Sequence, residues 1–268
     1  MKLSIITVNR NNREGLIQTV ESVLGQTWRD FEYIVIDGAS TDGSAEYLKE
    51  KSAEFSYWVS EPDRGCYHAM NKGIEKATGE YLLFLNSGDY LADNTILEKV
   101  QIQLTGEGII YGDLIYFYRN TKKVLKTFRD ELDIVYLYDN YIPHPSAFIK
   151  RGLFETVGLY NEKDRITSDW QFFMKAIFEF RTDYKHINLA VSVYDVTGIS
   201  SDPANIKMIN REKEDFVRNN PWVLNDDFFH SINEARSILS HLADSRIIKL
   251  ITSLGFLNYL RKYISRIK

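Results

Sequence analysis

The chain has 268 residues, 44% hydrophobic and 26% charged, which suits one large globular domain or one domain with an appendage. Its formal net charge of −4 excludes nucleic-acid binding by bulk electrostatics. A single cysteine, Cys66, excludes an internal disulfide, and no run approaches the ~18 apolar residues of a membrane span.

Leu3 to Val8 reads as a strand. Asn9 and Arg10 end it too early for a signal peptide, so a cytoplasmic protein is expected. Glu14 to Gly25 reads as a helix with Leu16, Val20, Val23 and Leu24 on one face. Phe31 to Ile36 is a strand that runs into Asp37-Gly38. Ser44 to Lys51 is a short helix with Ser40, Thr41 or Asp42 as caps near its start. Phe55 to Val59 is a strand and Tyr67 to Ala77 a helix. Tyr81 to Leu85 is a fourth, wholly apolar strand that opens into Asn86-Ser87-Gly88-Asp89. Asn94 to Leu104 follows as a helix. Strands alternating with helices predict a parallel sheet covered on both faces, an α/β fold. Such a sheet delivers the carboxyl ends of its strands, here with Asp37 and Asp89, to the crevice where ligands bind.

The second half changes character. Gly108 to Tyr118 and Val124 to Phe128 read as longer strands, in an antiparallel arrangement. Ala147 to Ile149 is a short strand, Ser168 to Phe180 a helix and Tyr184 to Val196 a strand. From Ile206 the pattern is helical. This divides the chain into residues 1–205, with a nucleotide-binding half (1–105) and an acceptor half (106–205), and a helical extension over 206–268.

Two common nucleotide grips are missing. Asn9-Arg10-Asn11-Asn12-Arg13 contains no G-x-G-x-x-G, and no G-x-x-x-x-G-K-[ST] occurs in the chain. A diphosphate would be neutralised instead by a metal at Asp89 and a basic side chain such as Arg64. Oxygen-only ligation favours Mg²⁺ or Mn²⁺.

Several motifs carry a family resemblance. Ser4-Ile5-Ile6-Thr7-Val8-Asn9, Val20-Glu21-Ser22-Val23-Leu24-Gly25-Gln26-Thr27 and Asp37-Gly38-Ala39-Ser40-Thr41-Asp42-Gly43-Ser44 come first. Glu61-Pro62-Asp63-Arg64-Gly65-Cys66-Tyr67-His68-Ala69-Met70-Asn71-Lys72-Gly73-Ile74 and Leu85-Asn86-Ser87-Gly88-Asp89 follow in order. Together they resemble the family-two glycosyltransferases, over residues 3–91 and less densely to about 200. The likeness is to enzymes of bacterial capsule, exopolysaccharide or O-antigen assembly. The resemblance implies a GT-A fold, a UDP-sugar donor, a glycan or lipid-linked acceptor and an inverting displacement. By position, Thr7 and Asn9 would lie near the nucleotide, and Asp37 would accept the uracil N3–H. Asp63 and Arg64 would border the uridine and diphosphate. Asp89 matches the metal-binding acid and Asp169 the catalytic base. Many relatives carry a second acid near Asp89, whereas Asn86 and Gly88 flank it here.

Glycosyl transfer needs a carboxylate to take the acceptor's proton and a metal to stabilise the departing diphosphate. Asp169 and Asp89 fill those roles, and the alternative for Asp169 is an ordinary helix cap. His144, between two prolines, and Trp170, beside Asp169, are placed on the acceptor side. The rival readings are a sugar-nucleotide pyrophosphorylase, which needs a glycine-rich basic turn after the first strand, and a non-catalytic sugar-nucleotide-binding protein. Residues 244–268 carry six basic side chains and one acid around an apolar stripe. They read as a docked helix or as a peripheral membrane contact.

Overall fold

The computed structural model describes residues 3–118 and 122–224. In chain order the elements are β1 (Leu3–Asn9), α1 (Arg13–Leu24), β2 (Phe31–Asp37), α2 (Ser44–Glu50), β3 (Tyr57–Ser60) and α3 (Cys66–Lys76). Next come β4 (Tyr81–Phe84), β5 (Tyr90–Leu91), α4 (Ile96–Gln101), β6 (Ile109–Phe117) and β7 (Lys123–Lys126). Last are α5 (Ile134–Asp139), β8 (Ala147–Lys150), α6 (Leu153–Thr156), α7 (Ser168–Met174), β9 (Tyr184–Asp195) and α8 (Ile206–Asn219).

Among the described residues the strands form one nine-stranded sheet, in the order β3-β2-β1-β4-β8-β6-β9-β5 with β7 on β6. The strands β3, β2, β1 and β4 are mutually parallel. The central strands β2, β1 and β4 are buried on both faces and accordingly rich in apolar residues, while β3 at the edge is half-buried. All four residues of β4 are fully buried. Helix α1 seats Leu16, Val20 and Val23 on one face of the sheet with Leu3, Ile5 and Val35. Helix α3 packs on the other face. There a Cβ at Gly73 would stand 2.5 Å from Ile6 Cγ2, so glycine lets the helix approach β1.

The second half is a mixed sheet. β8 runs antiparallel to both β4 and β6, while β6 and β9 are parallel to each other. The expected helix from Ser168 to Phe180 is α-helical to Met174 and then widens into a π-turn over Lys175–Glu179. That local change leaves the apolar period intact, so the sequence does not show it.

Residues Met1–Asn220 form one compact unit and Pro221–Lys268 a second. Helix α8 belongs to the first. Its Glu212 accepts hydrogen bonds from the backbone N–H groups of Arg165, Ile166 and Thr167 at 2.8, 3.2 and 3.0 Å. The basic amphipathic segment 244–268 lies outside the described residues. No helix among the described residues is long and apolar enough to cross a membrane.

Candidate active site

Strand register assembles the first group of side chains. β1 and β2 place Asn9 beside Asp37, and β2 and β3 place Asp37 beside Ser60. Asp37 is fully buried. Its Oδ1 accepts from Asn9 Nδ2 at 2.7 Å and from the Ser40 hydroxyl, and its Oδ2 accepts from Ser40 N at 2.9 Å and Ser60 Oγ at 2.6 Å. Four donors hold this carboxylate rigid. Asp63 comes to the same place, because a Cβ on Gly38 would lie 2.2 Å from Asp63 Oδ2. Only a glycine after Asp37 lets the two carboxyl groups share that corner. Asp63 Oδ1 also accepts from Gly65 N at 2.9 Å and faces the Arg10 guanidinium at 3.5 Å.

Thr7 is not part of that surface. It is fully buried, and its hydroxyl pairs with Tyr33 Oη at 3.0 Å. Arg64 points its exposed guanidinium at Glu162, at 2.5 and 3.2 Å. An exposed pair of this kind contributes little and is readily exchanged for another anion.

The second group gathers in a cavity of about 250 Å³ that Asn86, Asp89, His144, Asp169, Trp170 and Lys213 help to line. Five side chains expected from sequence thus meet in one space. Asp89 arrives because Leu85 N and Ser87 N donate to Ile6 O and Val8 O, which extends β4 along β1 past its formal end. Gly88, at φ +107°, turns the chain so that the next residue points back inward. The Thr19 hydroxyl clamps this turn, accepting from Gly88 N at 3.0 Å and donating to Asp89 O at 2.7 Å. Asp89 is buried, and Asp195 N donates to its Oδ1 at 3.1 Å. Burial, aided by the nearby Asp195 carboxylate, pushes the Asp89 carboxyl up to about 8. Asn86 Oδ1 is buried on the same turn without a hydrogen-bond partner.

Asp169 opens the far wall from the first turn of α7. It does not cap that helix. The cap duty falls to Glu212 of α8, which also accepts from Thr167 Oγ1 at 3.0 Å. Asp169 Oδ1 instead accepts from Tyr67 Oη at 2.7 Å. The same hydroxyl lies 2.5 Å from Ile166 O, so α3 is tied to the start of α7. Asp169 Oδ2 faces His144 Nδ1 at 3.9 Å. Burial lowers the His144 ring below its usual range despite the pull of Asp169, so the ring is neutral near pH 7. Its Nε2 meets Tyr160 Oη at 2.9 Å and its plane stacks on Phe84, with centroids 4.9 Å apart.

Trp170 lines the cavity but is largely committed elsewhere. Its indole N–H donates to Leu137 O at 2.6 Å, and Lys213 Nζ lies 4.6 Å over its ring. A sugar would meet only a remaining edge. Tyr67, Glu212 and Asp195 carry much of this geometry, and sequence reasoning missed all three. The one usable signal was the position of Tyr67 within the motif of residues 61–74.

The sequence comparisons agree on one family. The description "Glycosyl transferase family 2" matches residues 4–158. A Mycobacterium bovis protein named "PGL/p-HBAD biosynthesis glycosyltransferase" is 32% identical over 202 residues, covering 73% of this chain and 77% of its own. Among solved structures, S. aureus TarS in complex with UDP-GlcNAc is similar at a TM-score of 0.61 and 18% identity, covering 73% of this chain and 58% of its own. The mannosyltransferase PcManGT from Pyrobaculum calidifontis, in complex with GDP-Man and Mn²⁺, is similar at a TM-score of 0.55 and 17% identity. That match covers 96% of this chain and 80% of the other. These two likenesses show the GT-A fold.

Proposed function

The chain belongs to glycosyl transferase family 2, and from that premise we propose that it moves a sugar from a UDP-sugar to a glycan or lipid-linked acceptor, with inversion, in surface polysaccharide assembly. One observation carries the chemistry: Asp89 and Asp169, from opposite halves of the fold, line the same cavity.

In this reading Asp37, Asn9 and Asp63 form the floor beneath the nucleoside, and Arg64 leaves Glu162 to meet the diphosphate. Asp169 takes the proton of the acceptor hydroxyl as that oxygen bonds to the anomeric carbon and the bond to the diphosphate breaks, releasing UDP. Tyr67 holds one oxygen of Asp169, which leaves the other facing the cavity. The neutral His144 places no cation against Asp169 Oδ2 to compete with the acceptor's proton. Trp170 braces the wall behind the acceptor. The carboxylate of Asp89 and the unpartnered oxygen of Asn86 fit a hard divalent cation, Mn²⁺ or Mg²⁺. Such a cation supplies charge to stabilise the departing diphosphate. A lipid-linked acceptor also suits the basic segment 244–268, which would rest on anionic headgroups.

The test is a panel of UDP- and GDP-sugars incubated with candidate acceptors, with and without Mn²⁺. Transfer from one UDP-sugar, with the product's anomeric configuration opposite to the donor's by NMR, is the expected result. Transfer only from a GDP-sugar, or a retained configuration, overturns the donor or the stereochemical assignment respectively.

A further inference from the structure

We infer that Asp195 is the second acid of the cation site, standing in space where residue 88 carries no side chain. This rests on the cation reading given above for Asp89.

The two residues meet because of sheet pairing. β5 is antiparallel to β9, with Tyr90 opposite Val193 and Leu91 opposite Ser192. That register, continued back into the turn, sets Gly88 opposite Asp195 at the end of β9, with Asp89 as its next neighbour. The hydrogen bond from Asp195 N to Asp89 Oδ1, 3.1 Å long, fixes the approach.

Position 88 explains why the chain needs a remote partner. Gly88 has φ +107°, a conformation that strains any L side chain, so the turn is closed to an acid. A Cβ built there would lie 4.0 Å from both Asp195 Cβ and Asp195 Oδ2. The Asp195 side chain therefore stands in van der Waals contact with the space into which an acid at position 88 would project.

The environment is built for a positive ligand. Asp89 is 6% exposed, and among the described residues the hydrogen bond to its carboxylate is the one from Asp195 N to Oδ1. Among the described residues neither Asp89 nor Asp195 has a lysine, arginine or histidine as an ion-pair partner. Two neighbouring carboxylates without a cation repel each other. Asn86 Oδ1, also unpartnered and buried, adds a neutral oxygen from the same turn. Three oxygens and no sulfur or imidazole select a hard divalent cation. Among the described residues no three His, Cys, Asp or Glu side chains gather as a metal cluster. The protein thus supplies two acids and leaves the remaining positions to the donor's diphosphate. Cation and UDP should then bind as mutual requirements.

Asp195→Asn isolates the charge. The Asp195 N–H is a backbone group and survives. Thr197 N, which donates to Asp195 Oδ1 at 2.9 Å, can still donate to the amide oxygen. Free Mn²⁺ is measured by electron paramagnetic resonance on the full chain, titrated with and without UDP, for wild type, Asp195→Asn, Asp195→Glu and Asp89→Asn. Circular dichroism melts confirm folding of each variant. The expected result is tight Mn²⁺ binding by wild type only with UDP. Asp195→Asn should weaken it by about tenfold or more, the scale seen when groups around a metal are altered. Asp195→Glu should recover part of the loss, and Asp89→Asn should abolish binding. Wild-type affinity in a folded Asp195→Asn, with binding still lost in Asp89→Asn, overturns the assignment of Asp195 alone. Absence of Mn²⁺ binding by wild type with UDP overturns the cation reading and this inference together.

Discussion

Tyr67 and Asp169 are joined by a 2.7 Å hydrogen bond between groups 102 positions apart in the chain. The contact crosses from helix α3, which packs on β1 and β2, to helix α7 in the second half of the chain. It makes Tyr67 a positioning residue for the proposed base. Tyr67→Phe should therefore lower kcat by about tenfold, the scale of a modest loss of alignment. KM for the donor should stay within about twofold, because the Tyr67 hydroxyl bonds to Asp169 and Ile166 and not to Asn9, Asp37 or Asp63. Steady-state kinetics with the donor varied at saturating acceptor gives the split. A rise in donor KM with unchanged kcat would instead make Tyr67 part of donor binding.

Asp169→Asn should leave UDP affinity nearly unchanged and lower transfer by about 10²- to 10⁴-fold, the usual contribution of a general base. Because Glu212 caps α7, the variant should melt close to wild type. Titration calorimetry of UDP, a thermal melt and a transfer assay decide the matter together. A large drop in melting temperature with full specific activity would make the residue structural.

Asp89 links the site to pH. Burial raises its folded carboxyl from the ordinary aspartate range to about 8, so at neutral pH the folded state holds a proton that the unfolded state has lost. Without metal, stability is full below about pH 4 and falls as pH rises toward 8. Asp89→Asn should remove that slope and raise the metal-free melting temperature at pH 8. In the wild type, a bound cation must displace the proton, so affinity for Mn²⁺ with UDP should weaken about tenfold per unit as pH falls from 8 toward 6. Calorimetry in buffers of different ionisation enthalpy reads the released proton directly. A pH-independent affinity between 6 and 8 would contradict a protonated Asp89.

Glu212 closes four donors at the start of α7, three backbone and one hydroxyl. Glu212→Ala should cost about 1–3 kcal/mol, the penalty of leaving such donors unmet. For a unit of this size that corresponds to a melting-temperature decrease of very roughly 2–10 °C. Turnover should fall as well, since Asp169 sits in the loosened turn. An unchanged melting temperature would mean that water replaces the glutamate at no cost.

The first half of the chain was legible in the sequence because its contacts are local in register. Short apolar strands, each ending in a polar residue, place Asn9, Asp37 and Asp89 at strand ends without knowledge of distant partners. Thr7 is the instructive exception. It sits one pleat before Asn9, yet its hydroxyl turns to Tyr33 inside the core. The second half was harder to read. α5 and α6 span six and four residues, too short for a 3.6-residue period to declare itself. Asp169 was found through its motif, but its freedom from capping depended on Glu212, 43 positions later. Asp195 escaped notice because β5 is only two residues long, and its pairing with β9 leaves no pattern of its own.

The Glu212 strap also sets an order of synthesis. A growing chain has made β1 to β4 and the turn at Asp89 well before α8 exists. Asn9, Asp37 and Asp63 are made by that stage, while the segment leading into α7 still lacks Glu212. In the proposed reading, the residues that hold the donor are thus made before the one that braces the base. A chain ending at Asn205, compared with the full chain for UDP binding and for transfer, reads those two capacities apart: binding with little transfer supports the order, and equal loss of both refutes it.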